Sequence, residues 1–254
     1  MGDQTAIAWT DHTFNVAWGC TKVSPGCKHC YAEEQSKRFG DDVWGPGRER
    51  KTFGADHWAR PLTWNRAAER ESRRHRVFSS SMADIWEDHP TITRERERLW
   101  AMIRRTPCLD WQLLTKRPER IAPTLPPDWG TGYPNVWLGV SIENNQYVSR
   151  ADHLRRVPAV VRFISYEPAL GALLDLNLDG IHWVIYGGES GPNYRSHNIR
   201  WARDMRDRCA KAGVAFFYKQ SPARYTERGI TLDGEVVRNY PTAPGRGIEL
   251  PLFK

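Results

Sequence analysis

The sequence predicts an α/β fold, a partial or complete parallel β/α barrel of the TIM type. Three observations carry that prediction. Six short β-rich runs recur between residues 76 and 220, most of them separated by stretches able to form helices, which is the pattern of βα units around a parallel sheet. Runs such as HWVIYGG are apolar over most of their length, as strands buried on both faces are. Each run also finishes in polar or small residues, and in a β/α barrel those ends converge on the C-terminal rim, where active sites are built.

In chain order, a first run, FNVAWG (14–19), precedes the six. RVFSSSMAD (76–84) ends in Ser79, Ser80 and Ser81 with Asp84, and LDWQLLTKR (109–117) in Thr115, Lys116 and Arg117. NVWLGVSIEN (135–144) ends in Ser141, Glu143 and Asn144, VRFISYEP (161–168) in Glu167, HWVIYGGES (182–190) in Gly187, Gly188, Glu189 and Ser190, and VAFFYKQ (214–220) in Lys219 and Gln220. The clearest helices are Thr93–Arg105, with Leu99, Met102 and Ile103 as its apolar stripe, and Trp201–Ala212, with Trp201, Met205, Cys209 and Ala212. Residues 40–64 carry Gly, Pro, Trp and charge without periodicity and read as an ordered loop or lid over one rim. Residues 1–220 are therefore assigned to the barrel with this insertion. Residues 221–254 read as a small appendage, in which Asp233-Gly234 between β-prone residues signals a hairpin.

Composition narrows the class. Hydrophobic residues make up 40% of the 254, with twelve Trp, enough for a sizeable core. The 37 basic against 30 acidic residues give a net charge of +7, compatible with a polyanionic partner but modest for a dedicated nucleic-acid binder. Much of the Arg excess lies in RAAERESRRHR (66–76) and TRERERLWAMIRR (93–105), which read as solvated helix faces. No apolar run approaches the length of a membrane span. The opening MGDQTAIAWTDHTFN lacks a basic n-region and an apolar h-region, and Ala6 stands where a myristoylation signal has Ser or Thr. A cytoplasmic, reducing compartment is expected, and there clustered cysteines read as metal ligands rather than disulfides.

The cluster is GCTKVSPGCKHCYAE (19–33), which gathers Cys20, Cys27 and Cys30, three of the five cysteines. The C-x2-C pair lets two thiolates meet one metal centre, and Cys20 adds a third across a turn of Ser24, Pro25 and Gly26. Three chemistries are open: a structural zinc completed by His12 or His29, a redox C-x2-C, or a [4Fe–4S] cluster with three protein ligands and one open iron. Open iron at a barrel rim suits S-adenosylmethionine chemistry. Cys108 and Cys209 stand alone and read as buried thiols.

CKHCYAE resembles the end of a radical S-adenosylmethionine motif, with His29 in the place of the aromatic residue before the last cysteine. Through GCTKVSPGCKHCYAE, WQLLTKRPER, NVWLGVSIEN, RFISYEPALG, WVIYGGESG and FFYKQ, the chain from residue 19 to 220 resembles a three-cysteine-motif family of phage and bacterial proteins, the phage Gp37/Gp68-type family. The resemblance implies a radical-enzyme-like barrel. Its cofactors would be a [4Fe–4S] cluster on Cys20, Cys27 and Cys30, and S-adenosylmethionine, cleaved by one electron from an outside donor to a 5′-deoxyadenosyl radical. Ser79, Ser80 and Ser81 would meet the methionyl moiety, while Ser141, Glu143 and Asn144 resemble the fourth-strand set that meets ribose and carboxylate. Gly187 and Gly188 permit close backbone approach, and Glu189 would accept from an ammonium or ribose hydroxyl. Glu167, Glu189 and Lys219 are the expected catalytic set, with Lys116 and Arg117 adding positive charge. Tyr31, Tyr186 and Tyr218 read as packing. A nucleotide or nucleic acid is the expected substrate class, held by Arg48, Arg50, Lys51 and Arg60 beside Trp44 and Trp58. The alternative reading is a zinc-stapled nucleic-acid-binding or scaffold protein without catalysis.

Overall fold

The strands follow one another around the sheet in the order in which they occur in the chain. The computed structural model describes residues 5–242, so the last part of the expected tail, 243–254, lies outside the described residues. The strands are β1 (His12–Thr13), β2 (His75–Ser79), β3 (Leu109–Thr115), β4 (Val136–Ser141), β5 (Val161–Tyr166), β6 (Trp183–Gly187) and β7 (Ala215–Gln220). They form one seven-stranded sheet, each strand pairing in parallel with the next. This is a partial parallel β/α barrel, in which β1 and β7 do not pair with each other among the described residues. The helices are α1 (Tyr31–Arg38), α2 (Ala55–Arg70), α3 (Pro90–Arg105), α4 (Arg150–Arg155) and α5 (Ile199–Ala212). Among the described residues no helix is long and apolar enough to cross a membrane.

Strand side chains alternate between two faces. Val77, Leu113, Leu138, Ile164, Val184 and Tyr186 point to the helix side, where they pack with Leu99, Met102, Ile103, Met205 and Cys209. Phe78, Trp137, Phe163, Trp183, Ile185 and Phe217 point to the concave side and pack around Trp9. Gly139 makes room there, since a Cβ at that position would come within 2.3 Å of the Phe163 ring. The helix limits follow local chemistry. His89 caps α3 by accepting from the Thr91 N–H, with Pro90 at the first position, where its missing N–H costs nothing. Asn198 caps α5 in the same way, and Gly213 ends it at φ 67°, a left-handed position that suits glycine.

Three expectations are corrected. FNVAWG (14–19) is not a strand; β1 is the two residues before it. Phe14, Val16 and Ala17 are fully buried, so the run has the composition of a strand, but its surroundings replace the ladder. Asn15 accepts from the Met82 N–H at 2.8 Å, and Trp18 exchanges backbone bonds with Lys51. The expected 40–64 loop is loop only to Gly54, because residues 55–64 belong to α2. Its buried face is Trp58, Pro61, Trp64 and Ala68, a helical spacing hidden by the glycines and prolines around it. The hairpin is minimal. Asp233 (φ 57°) and Gly234 (φ 86°) form the tight turn, but it closes only an isolated Leu232–Glu235 bridge. The segment after it runs antiparallel along β7, with the Tyr218 N–H donating to Val237 and the Asn239 N–H to Phe216. Tyr240 then donates to the Ala8 carbonyl at 3.0 Å and rests on Trp183.

Candidate functional site

Along the concave face the residues shrink and turn polar toward the strand ends. β4 reads Trp137, Gly139, Ser141; β5 continues Phe163, Ser165 into Glu167; β7 reads Phe217, Lys219. The aromatic floor gives way to a cavity of about 850 Å³ over the C-terminal ends of the strands, within the usual range for a small-molecule site of about 300–1,000 Å³. Cys20, Cys27 and Cys30 line it together with Ser80, Ser81, Asp84, Ser141, Ser165, Glu167, Glu189 and Lys219.

The cysteine loop is tied to the strand ends at four points. Thr21 donates its N–H to Glu87 at 2.8 Å and accepts from Arg117 at 2.6 Å. Ser24 donates to Glu143, and Arg195 donates to the Pro25 carbonyl at 3.1 Å. Pro25–Cys27 makes a 3-10 turn, and Cys30 is the N-cap of α1. All three cysteines are free and half-buried. Burial pushes the Cys20 thiol up to about 12, Asp84 adding to the shift and Arg117 opposing it. Burial also raises Cys30, against the backbone N–H groups of Glu33 and Ala32 and the charge of Lys116. Arg117 is the cationic partner, donating to Asp84 at 2.9 Å and to the Cys20 sulfur at 3.5 Å. Burial disfavours its charge, but Asp84 and Cys20 outweigh that, so the guanidinium is held above its ordinary value.

Two carboxylates face the cavity with partners in place. Glu167 accepts from Lys219 at 2.6 Å, and Gly187 is bare because a Cβ would come within 2.7 Å of that carboxylate. Glu189 is buried, accepts from the Arg195 backbone and side chain at 2.8 Å, and lies 3.3 Å from His29 Nδ1. Burial alone would raise its pKa; the Arg195 hydrogen bonds and charge win and hold it below the ordinary carboxylate value.

Several expected site residues sit elsewhere. Ser79 is fully buried beneath Ser80, 3.1 Å between hydroxyls. Glu143 is fully buried in an ion pair with Arg150 at 2.8 Å. It serves the cysteine loop, with Gly26 packed so closely that a Cβ would lie 2.4 Å from its carboxylate. Asn144 caps a 3-10 turn through the Gln146 N–H. Gly188 is bare to clear Pro222, 2.2 Å from where a Cβ would stand. Tyr186 and Tyr218, expected as packing, do stack in the core on the helix side. Of the nucleic-acid set, Arg50 is buried against Glu87 and Trp58 is in the core. Lys51 pairs with Asp41, Arg48 with Asp42, and Arg60 lies over Trp64. Sequence reasoning missed Ser165 and Arg195. Alternation from Glu167 back to Phe163 would have identified the first, but no local signal marks the second.

Cys20, Cys27, Cys30 and His29 line the same cavity. Among the described residues no three His, Cys, Asp or Glu side chains gather as ligands of one metal ion, and His12 is remote in β1, stacked on Trp64 and 3.1 Å from His75. A [4Fe–4S] cluster takes one thiolate per iron, so its ligands need not converge on a point. The structure offers three free thiols lining one cavity, with Arg117 beside Cys20 and the charge of Lys116 acting on Cys30.

Residues 4–244 match the model of a family described as a protein of unknown function (DUF5131). No curated protein and no solved structure matches the chain.

Proposed function

The chain belongs to the DUF5131 family, and from its site we propose that it is a radical S-adenosylmethionine enzyme of the three-cysteine-motif, phage Gp37/Gp68-like kind. Cys20, Cys27 and Cys30 would hold a [4Fe–4S] cluster through one thiolate each, three protein ligands where such a cluster takes four. When bound, the group supplies one-electron cleavage of the sulfonium to methionine and a 5′-deoxyadenosyl radical. The observation that carries the reading is the shared cavity: three free thiols from one loop and the polar ends of the concave strands line the same space. Ser80, Ser141 and Ser165 present hydroxyls for ribose and methionyl groups. Glu189, held ionised by Arg195, receives an ammonium or hydroxyl donor. Lys219 Nζ donates to Glu167 Oε1, a contact that a substrate group entering the cavity would displace. The electron comes from a donor outside the chain, a nucleotide-type substrate meets the mouth, and five free cysteines accord with a reducing cytoplasmic setting.

Anaerobic purification tests this directly. The protein should be brown, with broad absorption near ~400 nm and about four irons per chain. With dithionite it should convert S-adenosylmethionine to methionine and 5′-deoxyadenosine. A colourless zinc protein, or iron-loaded protein that cleaves none, would overturn the proposal.

A further inference from the structure

The mouth of the cavity differs from its interior. Tyr31, Phe39 and Tyr225 are 48%, 65% and 64% exposed, yet all three belong to its lining. Soluble proteins seldom leave large aromatic rings so open around one opening. Arg38, Lys116 and Arg224 lie on the same lining, and none pairs with a carboxylate among the described residues. The carboxylates nearby are mostly neutralised already: Asp84 by Arg117, Glu167 by Lys219 and Glu189 by Arg195. Glu34 remains as a lining carboxylate without such a partner. The rim therefore offers cations in excess, interleaved with exposed π faces.

Resting on the radical-enzyme reading above, we propose that this rim binds single-stranded nucleic acid and admits one unstacked base to the cavity. Charge complementarity selects a phosphate-bearing partner, and the exposed rings select one whose base faces are free. Spacing selects a strand over a mononucleotide. Lys116 follows β3 and Arg224 follows β7, four strand-to-strand steps apart in the sheet order, or about 19 Å along the sheet. Arg38 and Phe39 stand at the far end of α1. Cations placed on three different elements around one opening suit a backbone that passes each in turn. A duplex hides its base faces, so a paired base would have to leave the stack to reach the cavity.

Fluorescence anisotropy with a labelled mixed-sequence 12-mer tests the proposal on the protein as purified and after anaerobic iron loading. Three phosphate contacts predict a slope of log affinity against log salt of about −2, at about −0.7 per contact. Arg38→Gln, Lys116→Gln and Arg224→Gln should each make it shallower by about 0.7. Phe39→Ala and Tyr225→Ala should lower affinity roughly fivefold or more with the slope unchanged. The same sequence as a duplex, and a mononucleotide, should bind at least about tenfold more weakly. Strand binding that the triple Gln variant retains, equal binding of mononucleotide, or equal binding of poly-glutamate would overturn the proposal. Strand binding by protein that never acquires iron would leave this surface standing and remove the reading beneath it. S-adenosylmethionine cleavage without strand binding would do the reverse.

Discussion

Arg50→Met should weaken the whole cysteine region. Arg50 is buried, and its guanidinium donates to Glu87 at 2.9 and 3.0 Å, to Thr21 Oγ1 at 3.1 Å and to the carbonyls of Val43 and Gly45 at 3.0 and 3.2 Å. Methionine fills a similar volume but leaves the Glu87 carboxylate buried with only the Thr21 N–H and Arg117, 3.7 Å away. Breaking a buried pair from one side costs about 3–5 kcal/mol. The remaining partners place this case near the lower limit, about 3 kcal/mol. With a urea m-value of about 2–3 kcal/mol/M, the unfolding midpoint should fall by about 1–1.5 M. Acidity supplies a second signature. Burial would raise the Glu87 pKa, but Arg50 and the Thr21 N–H outweigh it and hold it below the ordinary value. A lowered folded pKa gives stability that is present above the unfolded value, about 4.3, and is lost as pH falls through the folded one. The gap between wild type and Arg50→Met should thus be widest near neutrality and narrow below about pH 4. Adding Glu87→Gln to Arg50→Met should restore part of the loss. A midpoint shift below about 0.3 M, or a gap that ignores pH, would refute the argument.

Three further outcomes are expected. Cys20→Ala, Cys27→Ala and Cys30→Ala should each prevent assembly of a four-iron cluster, measured as iron per chain after reconstitution, while Cys108→Ala and Cys209→Ala, both at buried positions, should leave it intact. Gly26→Ala would put a Cβ 2.4 Å from Glu143; overpacking of about 1–3 kcal/mol should displace the loop and speed loss of iron to a chelator. Glu189→Gln should weaken S-adenosylmethionine binding by about tenfold, the scale of one hydrogen bond to a charged group, in equilibrium dialysis. Wild-type affinity should fall as pH drops through the lowered Glu189 value, whereas the variant should stay flat over that range.

Much of the barrel is legible in the sequence because its strands are covered on both sides. Runs such as 109–117 and 161–168 contain β3 and β5 with at most two extra residues at an end, since continuous apolar character there has one cause. The first strand misleads because FNVAWG is buried for a different reason, as a loop whose backbone groups pair with Phe78, Ser80, Met82 and Lys51. The cysteine cluster is legible from spacing alone. The roles of Glu143 and Arg50 are not. Each is decided by a partner elsewhere in the chain, Ser24 and Arg150 for one, Glu87 for the other. A charge at a strand end looks the same in sequence whether it faces a cavity or is spent holding a loop.

The sequential order of the strands bears on how the chain reaches this state. Each new strand finds its partner in the one before it, but every parallel pairing must first close a crossover, which slows such sheets. Until residues 235–240 arrive, moreover, β7 offers an open row of backbone donors and acceptors beside Trp183 and Phe217, the kind of edge on which chains aggregate. The bond from Tyr240 to Ala8 spans 232 positions and can form only after every strand is in place. That closing segment acts as a seam, sealing the growing edge and the floor beneath Trp9 in one step.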